Sequence, residues 1–352
     1  MIRFCKKTFL IISIIILLSV LPMLFSVAST PLVAEATDVN EDTFPGAGAL
    51  VDGNPISSEA AFVMDFTTGL VIYEFNADEL RVPASMTKMV AVFVVFDAIK
   101  DGLIGLDTVM EFSEETSNFS YNRAFSNVPM PLESIYTAEQ LLEVVIIRSA
   151  SAATIALGEG IFGSEEALVA KMNNKAEQLG VEATFRDSWG GSPNNRISAR
   201  GMAEITRALI YEYPEVLTIT SMRSVFFDDI EYRNTNLLLT DYEGVDGLKT
   251  GFTNPAGWCF TGTALLEERR IISVTMGSVQ GYRFPDSVIL LDYGFENYNI
   301  KIAGHFRGSL HKLDIFQNIR SPLVPITAYN IDEAYSLGIR NLAIILNSAE
   351  KD

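Results

Sequence analysis

From Met89 to Phe96 the chain is uninterruptedly apolar, and Lys88, which opens this run, carries the only charge between Arg81 and Asp97. Ser85 stands three residues ahead of Lys88, so on a helix the two side chains lie on the same side, one above the other. A lysine forced into such surroundings loses solvation, which favours its neutral form and makes it a base for the serine. The same residues also fit an ordinary helix start whose lysine reaches out to water.

Histidine is the most useful absence. The only two, His305 and His311, fall near the end of the chain. A Ser-His-Asp triad or a multi-histidine metal site therefore cannot be drawn from the main body. A nucleophile at Ser85 needs a lysine or a carboxylate to activate it, and neither metal nor cofactor is expected. The net charge of -18 repels nucleic acid and anionic lipid headgroups, so neither is an expected partner.

Arg3, Lys6 and Lys7 precede an uncharged, largely apolar stretch from Thr8 to Val33, followed by small-residue cleavage patterns at Ser26-Val27-Ala28 and Ala34-Glu35-Ala36. That order reads as a secretory signal peptide over residues 1–36 and predicts an extracytoplasmic protein. The stretch is also nearly long enough to span a bilayer, which leaves membrane association through an uncleaved segment open. Cys5 would leave with the signal, so Cys259 would remain as a lone cysteine without a disulfide partner. A secreted chain of this length buries enough core without such staples.

Residues 37–57, rich in Asp, Gly and Pro, read as a flexible leader. Ala60–Asp65 and Leu70–Phe75 read as a hairpin around Thr67-Thr68-Gly69. The helix carrying Ser85 starts at Pro83 and closes at Asp101-Gly102. Residues 105–136 read as an extended crossing segment. Thr137 to Gln140 has the form of a capping box, and the helix behind it breaks around Arg148 to Ser151. Ser164 and Ser198 cap two more helices.

After that the period changes. Asn236–Leu239, Gly247–Thr253, Trp258–Leu266 and Arg270–Met276 read as strands, with a tight turn at Glu267-Glu268-Arg269 and a final helix over 285–293. The expected fold is α/β (α+β): a mainly antiparallel sheet built from both chain ends and flanked by helices from the middle, over residues 58–300. Lys301–His305, Leu310–Phe316 and Leu323–Tyr329 read as short β pieces of an incomplete C-terminal segment, 301–352.

Three motifs now line up in order: Ser85-Met86-Thr87-Lys88, Ser149-Ala150-Ser151 and Lys249-Thr250-Gly251. A lysine and a threonine inside a strand suit a substrate carboxylate, and Gly251 removes a side chain where an extended substrate backbone would approach. Each motif alone also fits a decorated surface. Together they form the S-x-x-K, second-serine and K-T-G set of penicillin-binding proteins and class A β-lactamases. The chain resembles the serine D-Ala-D-Ala carboxypeptidases, the low-molecular-mass penicillin-binding proteins with a β-lactamase/transpeptidase-like domain. Ala60–Asn76, Lys171–Gly180, Asn234-Thr235-Asn236, Val245–Trp258 and Met276–Tyr298 carry the resemblance beyond the motifs, over roughly residues 45–300.

The resemblance implies that Ser85 attacks a terminal D-Ala-D-Ala peptide of peptidoglycan with Lys88 as base. It implies an oxyanion hole from the backbone N–H groups of Ser85 and Phe252, and a proton relay through Ser149. Ser151, Lys249, Thr250, Gly251 and Arg283 would bind substrate, although Arg283 equally fits a surface arginine. β-Lactams would be covalent inhibitors. The chain departs from the family at Ser151 and Ala152, where Asn and Asp are usual, and at the loop Phe185 to Gly190. A serine is shorter than asparagine and offers one polar group in place of two. A degenerate protein that binds wall peptide with little turnover is the alternative. A β-lactamase is disfavoured because Arg186–Asn195 contains no glutamate to deacylate.

Overall fold

The computed structural model describes residues 49–309, with side chains described for residues 49–297. The expected signal peptide, most of the leader and the β pieces beyond residue 309 lie outside the described residues.

In β1 (Ala60–Asp65), Ala60, Phe62 and Met64 join one core cluster while Ala61 and Val63 join another. Apolar residues on both sides of the pleat need a sheet that is covered on both faces. β1 pairs with β2 (Val71–Phe75), and its other neighbour comes from the far end of the chain. With β3 (Val245–Thr253), β4 (Gly257–Leu266) and β5 (Arg269–Ser278), the antiparallel order is β3-β4-β5-β1-β2. β4 and β5 are joined by Glu267 and Glu268, both at positive φ (47° and 65°), the conformation a two-residue hairpin demands. The expected sheet from both chain ends is the one observed.

The helical layer is built around α1 (Thr87–Lys100), in which no residue from Met89 to Phe96 exceeds 4% exposure. A helix apolar on every side can only sit inside other elements. Around it lie α2 (Glu114–Ser120), α3 (Ala138–Ile147), α4 (Ser151–Phe162), α5 (Glu165–Gln178) and α6 (Ala199–Glu212). The capping box at Thr137 forms, with Thr137 N donating to Gln140 Oε1 at 2.9 Å and Gln140 N to Thr137 Oγ1 at 3.3 Å. Ser164 and Ser198 cap α5 and α6 as expected. α7 (Arg283–Ser309) covers the opposite sheet face, where Leu290 and Leu291 meet the cluster of Ala61, Val63, Phe260 and Ile271.

Four expectations need correction. Residues 105–136 are not simply extended: α2 lies within them because Ser113 Oγ accepts from Thr116 N and Glu114 and Glu115 occupy its first turn. Asn236–Leu239 is not a strand. Asn234 and Asn236 each turn a side-chain oxygen onto the amide two residues ahead, and a short helix, Leu238–Asp241, follows. Lys301–His305 is helical, since extending α7 adds a hydrogen bond per residue without a new nucleus. The folded body begins before residue 58: Leu50–Val51 pairs with Asn54–Pro55, and Val51 and Ile56 are buried.

Candidate active site

Ser85 sits in a 3-10 turn, Ala84–Met86, that runs directly into α1. Lys88, one turn on, is fully buried. Its Nζ lies 3.1 Å from Ser85 Oγ, 3.3 Å from Ser151 Oγ and 2.6 Å from the carbonyl oxygen of Trp189. An ammonium would donate to all three. A neutral amine donates to two and keeps a lone pair for the serine hydroxyl. Burial pushes Lys88 down to about 7, against the opposing pull of Asp187 and Glu165. Lys88 does not reach out to water.

Ser149 occupies the break between α3 and α4 at φ 65°, a left-handed conformation uncommon for a residue with a side chain. Its hydroxyl is buried and has no hydrogen-bond partner among the described residues. Ser151 opens α4, and its hydroxyl contacts Lys88 at the position where the resemblance leads to an expectation of asparagine. The serine is long enough to touch the lysine. A neighbouring segment holds this helix start: Ser126 O accepts from Ser151 N, and Asn127 Oδ1 accepts from Ala152 N, both at 2.9 Å.

β3 lies at the edge of the sheet, so alternate backbone groups face away from β4 and are open to an extended partner. Lys249 on this strand is buried, and its Nζ donates to Thr250 O at 3.1 Å. Burial, with the charges of Lys88 and Arg283 adding to it, holds the amine well below its ordinary range. Thr250 Oγ1 shares a hydrogen bond of 2.8 Å with Thr235 Oγ1. Arg283, at the start of α7, is brought to the same strand: its guanidinium approaches Gly251 O at 3.5 Å and lies over the Trp258 and Phe284 rings, 4.8 and 4.6 Å from their centroids. It is not a plain surface arginine. Burial lowers it to about 10. None of Lys88, Lys249 and Arg283 forms a salt bridge among the described residues. Arg283 thus brings a positive charge to β3, and Lys249 an amine able to take up a proton, neither with an ion-pair partner among the described residues, an arrangement that suits an anionic ligand.

Gly251 has a further reason to be glycine. A Cβ there would lie 2.8 Å from Pro83 O and 3.3 Å from Ser85 N. The close approach is thus already made by the protein's own turn, which brings β3 against the amide of Ser85. The Phe252 side chain is half exposed and stacks on Trp258, with centroids 4.4 Å apart.

Sequence reasoning treated the loop from Phe185 to Gly190 as a departure and missed what it does. Asp187 accepts from Gly190 N at 2.6 Å, from Asn195 Nδ2 at 3.0 Å and from Ser192 N. This hydrogen bonding holds the Trp189 carbonyl on Lys88. The contact is made by a backbone atom, which no residue type announces, although Trp189 is one of only two tryptophans in the chain. Among the described residues no three His, Cys, Asp or Glu side chains converge to hold a metal ion.

A model of the D-alanyl-D-alanine carboxypeptidase family (Peptidase_S11) matches residues 48–280. The chain is 32% identical over 267 residues to D-alanyl-D-alanine carboxypeptidase DacF of Bacillus subtilis, covering 72% of this chain and 67% of that one. It is 34% identical over 252 residues to D-alanyl-D-alanine carboxypeptidase DacC of Escherichia coli, covering 70% and 63%. The chain thus spans roughly two thirds of these relatives' length. Among solved structures, penicillin-binding protein D2 of Listeria monocytogenes, in its cefotaxime-bound form, superimposes with a TM-score of 0.62 at 29% identity, covering 68% of this chain and 98% of that one.

Proposed function

The chain belongs to the D-alanyl-D-alanine carboxypeptidase family, Peptidase_S11, and from that premise we propose that it is a serine-type D-alanyl-D-alanine carboxypeptidase acting on peptidoglycan stem peptides outside the cytoplasm. The observation that carries the reading is the buried amine of Lys88 at 3.1 Å from Ser85 Oγ. A lysine that gives up its proton near neutral pH is matched to removing one from a serine at that pH.

Lys88 takes the hydroxyl proton as Ser85 Oγ attacks the carbonyl carbon of the penultimate D-alanine. The backbone N–H groups of Ser85 and Phe252 receive the oxyanion, typically the largest electrostatic contribution to acyl transfer. Ser149, whose hydroxyl has no partner among the described residues, hands its proton to the leaving nitrogen and regains one from protonated Lys88, which leaves the amine neutral again. The C–N bond breaks and D-alanine departs. Water, losing a proton to neutral Lys88, then cleaves the ester, and Lys88 returns that proton to the departing Ser85 oxygen. Lys249, Thr250 and Arg283 receive the terminal carboxylate beside β3, whose Gly251 lets the strand close on the Ser85 turn. An approaching carboxylate favours the charged form of Lys249, so substrate binding brings a proton onto that amine.

The degenerate reading rested on Ser151 and Ala152; the contact of the Ser151 hydroxyl with Lys88 at 3.3 Å supports the active reading over it. β-Lactams, which the Listeria neighbour binds, acylate Ser85 by the same attack. No helix among the described residues is long and apolar enough to cross a membrane. The apolar stretch from Thr8 to Val33 would supply attachment where it stays uncleaved. The test is D-alanine release from a synthetic pentapeptide ending in D-Ala-D-Ala. Wild type releases it and Ser85→Ala does not; a wild type without release contradicts the reading.

A further inference from the structure

Beside the catalytic lysine lies an aromatic cluster with no part in the chemistry above. The rings of Phe119, Phe125 and Trp189 meet at centroid distances of 5.3 Å (Phe119 to Trp189), 4.9 Å (Phe125 to Trp189) and 5.7 Å (Phe119 to Phe125). Lys88 Nζ lies 5.9 Å from the Trp189 ring centroid as well as 2.6 Å from the Trp189 carbonyl. Two elements distant in sequence build this cluster. Phe119 and Phe125 come from α2 and the turn after it, whereas Trp189 comes from the loop after α5.

The backbone around Trp189 is shaped for this placement. A Cβ at Gly190, whose φ is 88°, would fall 2.0 Å from Ala84 O, so the loop lies directly on the turn that presents Ser85. A Cβ at Gly191 would fall 1.9 Å from the Trp189 ring, so the indole folds back over its own chain. The segment that carries Phe125 also holds the second motif, through Ser126 O on Ser151 N and Asn127 Oδ1 on Ala152 N. Two of the three oxygens around Lys88, those of Ser151 and Trp189, are thereby held by the stretch from Phe119 to Asn127.

We propose that the Phe119–Phe125–Trp189 cluster positions Lys88, locking its acceptors in place and shutting water away from the amine. The inference rests on Lys88 being the base of Ser85. Aromatic faces supply a dry wall without a competing charge, which suits a lysine that must spend time neutral. The charged groups that bear on the amine are Asp187 from the same loop, Glu165 from α5 and Lys249 from β3. The two carboxylates favour the ammonium and Lys249 opposes it, so water exclusion decides the balance. The Trp189 and Phe125 rings are positioning groups that act through Lys88, to which Trp189 is tied by its carbonyl.

The experiment is the acylation rate by a fluorescent penicillin across about pH 5.5 to 9.5 in wild type, Phe125→Ala, Trp189→Ala and Trp189→Phe. Phe125→Ala leaves the loop that carries Trp189 untouched, and Trp189→Phe keeps a ring. Loss of a ring from the cluster lets water reach Lys88 and moves the acidic limb of the profile up by about one pH unit. The rate at neutral pH falls about 10-fold and recovers toward wild type at the alkaline end. Trp189→Phe keeps the wild-type limb. An unmoved limb in both alanine variants, or a uniform loss at every pH, overturns the assignment while Ser85 labelling stands. A wild type that takes no label at any pH overturns the role of Lys88, and this inference with it.

Discussion

A lysine without exposed surface is normally an expense a fold avoids, because removing its charge from water costs several kcal/mol. Lys88 is tolerated because the neutral amine still satisfies Ser85, Ser151 and the Trp189 carbonyl. Acylation of wild type should therefore rise as pH climbs through about 7 and the amine sheds its proton, as a pH–rate profile would record. Ser151→Ala removes one oxygen from the lysine and lowers that rate about 3- to 10-fold without changing the fold, the scale of one lost hydrogen bond. Ser85 and Lys88 were legible as a candidate pair from their spacing and the apolar run behind them, and Lys249 from its place in the Lys-Thr-Gly triplet. The Trp189 carbonyl was not, being a backbone atom placed by Asp187 and two glycines. Arg283 was readable only as a position, since its sandwich between Trp258 and Phe284 joins residues about 25 apart in sequence, a span no local spacing rule covers.

At the level of elements, the site is where three backbones meet: the 3-10 turn of Ser85, the loop of Trp189 and the edge strand β3. Glycines mark both contacts. Gly190→Ala drives a methyl into Ala84 O and should cost about 100-fold in acylation, the scale of an ångström's misplacement at a reacting centre. Circular dichroism should stay near wild type; a fully active Gly190→Ala would contradict the packing. Elements that state their own boundaries were read correctly: the capping box at Thr137, the serine caps of α5 and α6, and the apolar run of β1. Those whose boundaries depend on competing side-chain hydrogen bonds were not. Ser113 hid α2 inside a polar stretch, and Asn234 and Asn236 turned an apparent strand into a short helix.

Across the whole molecule, one buried carboxylate joins the two ends of the folded body. Asp286 on α7 accepts from Ser57 N at 3.0 Å, Ser57 Oγ at 2.8 Å and Ser58 Oγ at 2.6 Å, just ahead of β1. Asp286→Ala strands these donors and should lower unfolding free energy by about 3 kcal/mol in urea titration. Lys88 supplies a stability test with a defined sign. Unfolded, the amine holds its proton to about 10.5, whereas folded it releases it near 7, so between those values the unfolded chain binds more protons and native stability rises with pH. The unfolding free energy of wild type should gain on that of Lys88→Met by about 1.4 kcal/mol per pH unit in that window. The sheet from both chain ends was legible at this scale from the order of hairpin, helices and strands. The Asp286 tie was not, because it spans 229 positions. The central claim is that Ser85 is acylated with Lys88 as its base, and the most direct measurement is the intact mass of the protein after exposure to a penicillin, followed by peptide mapping. The account predicts one covalent adduct on the peptide containing Ser85, absent in Ser85→Ala and sharply slowed in Lys88→Met. An adduct on another residue, or an unmodified wild type, would contradict it.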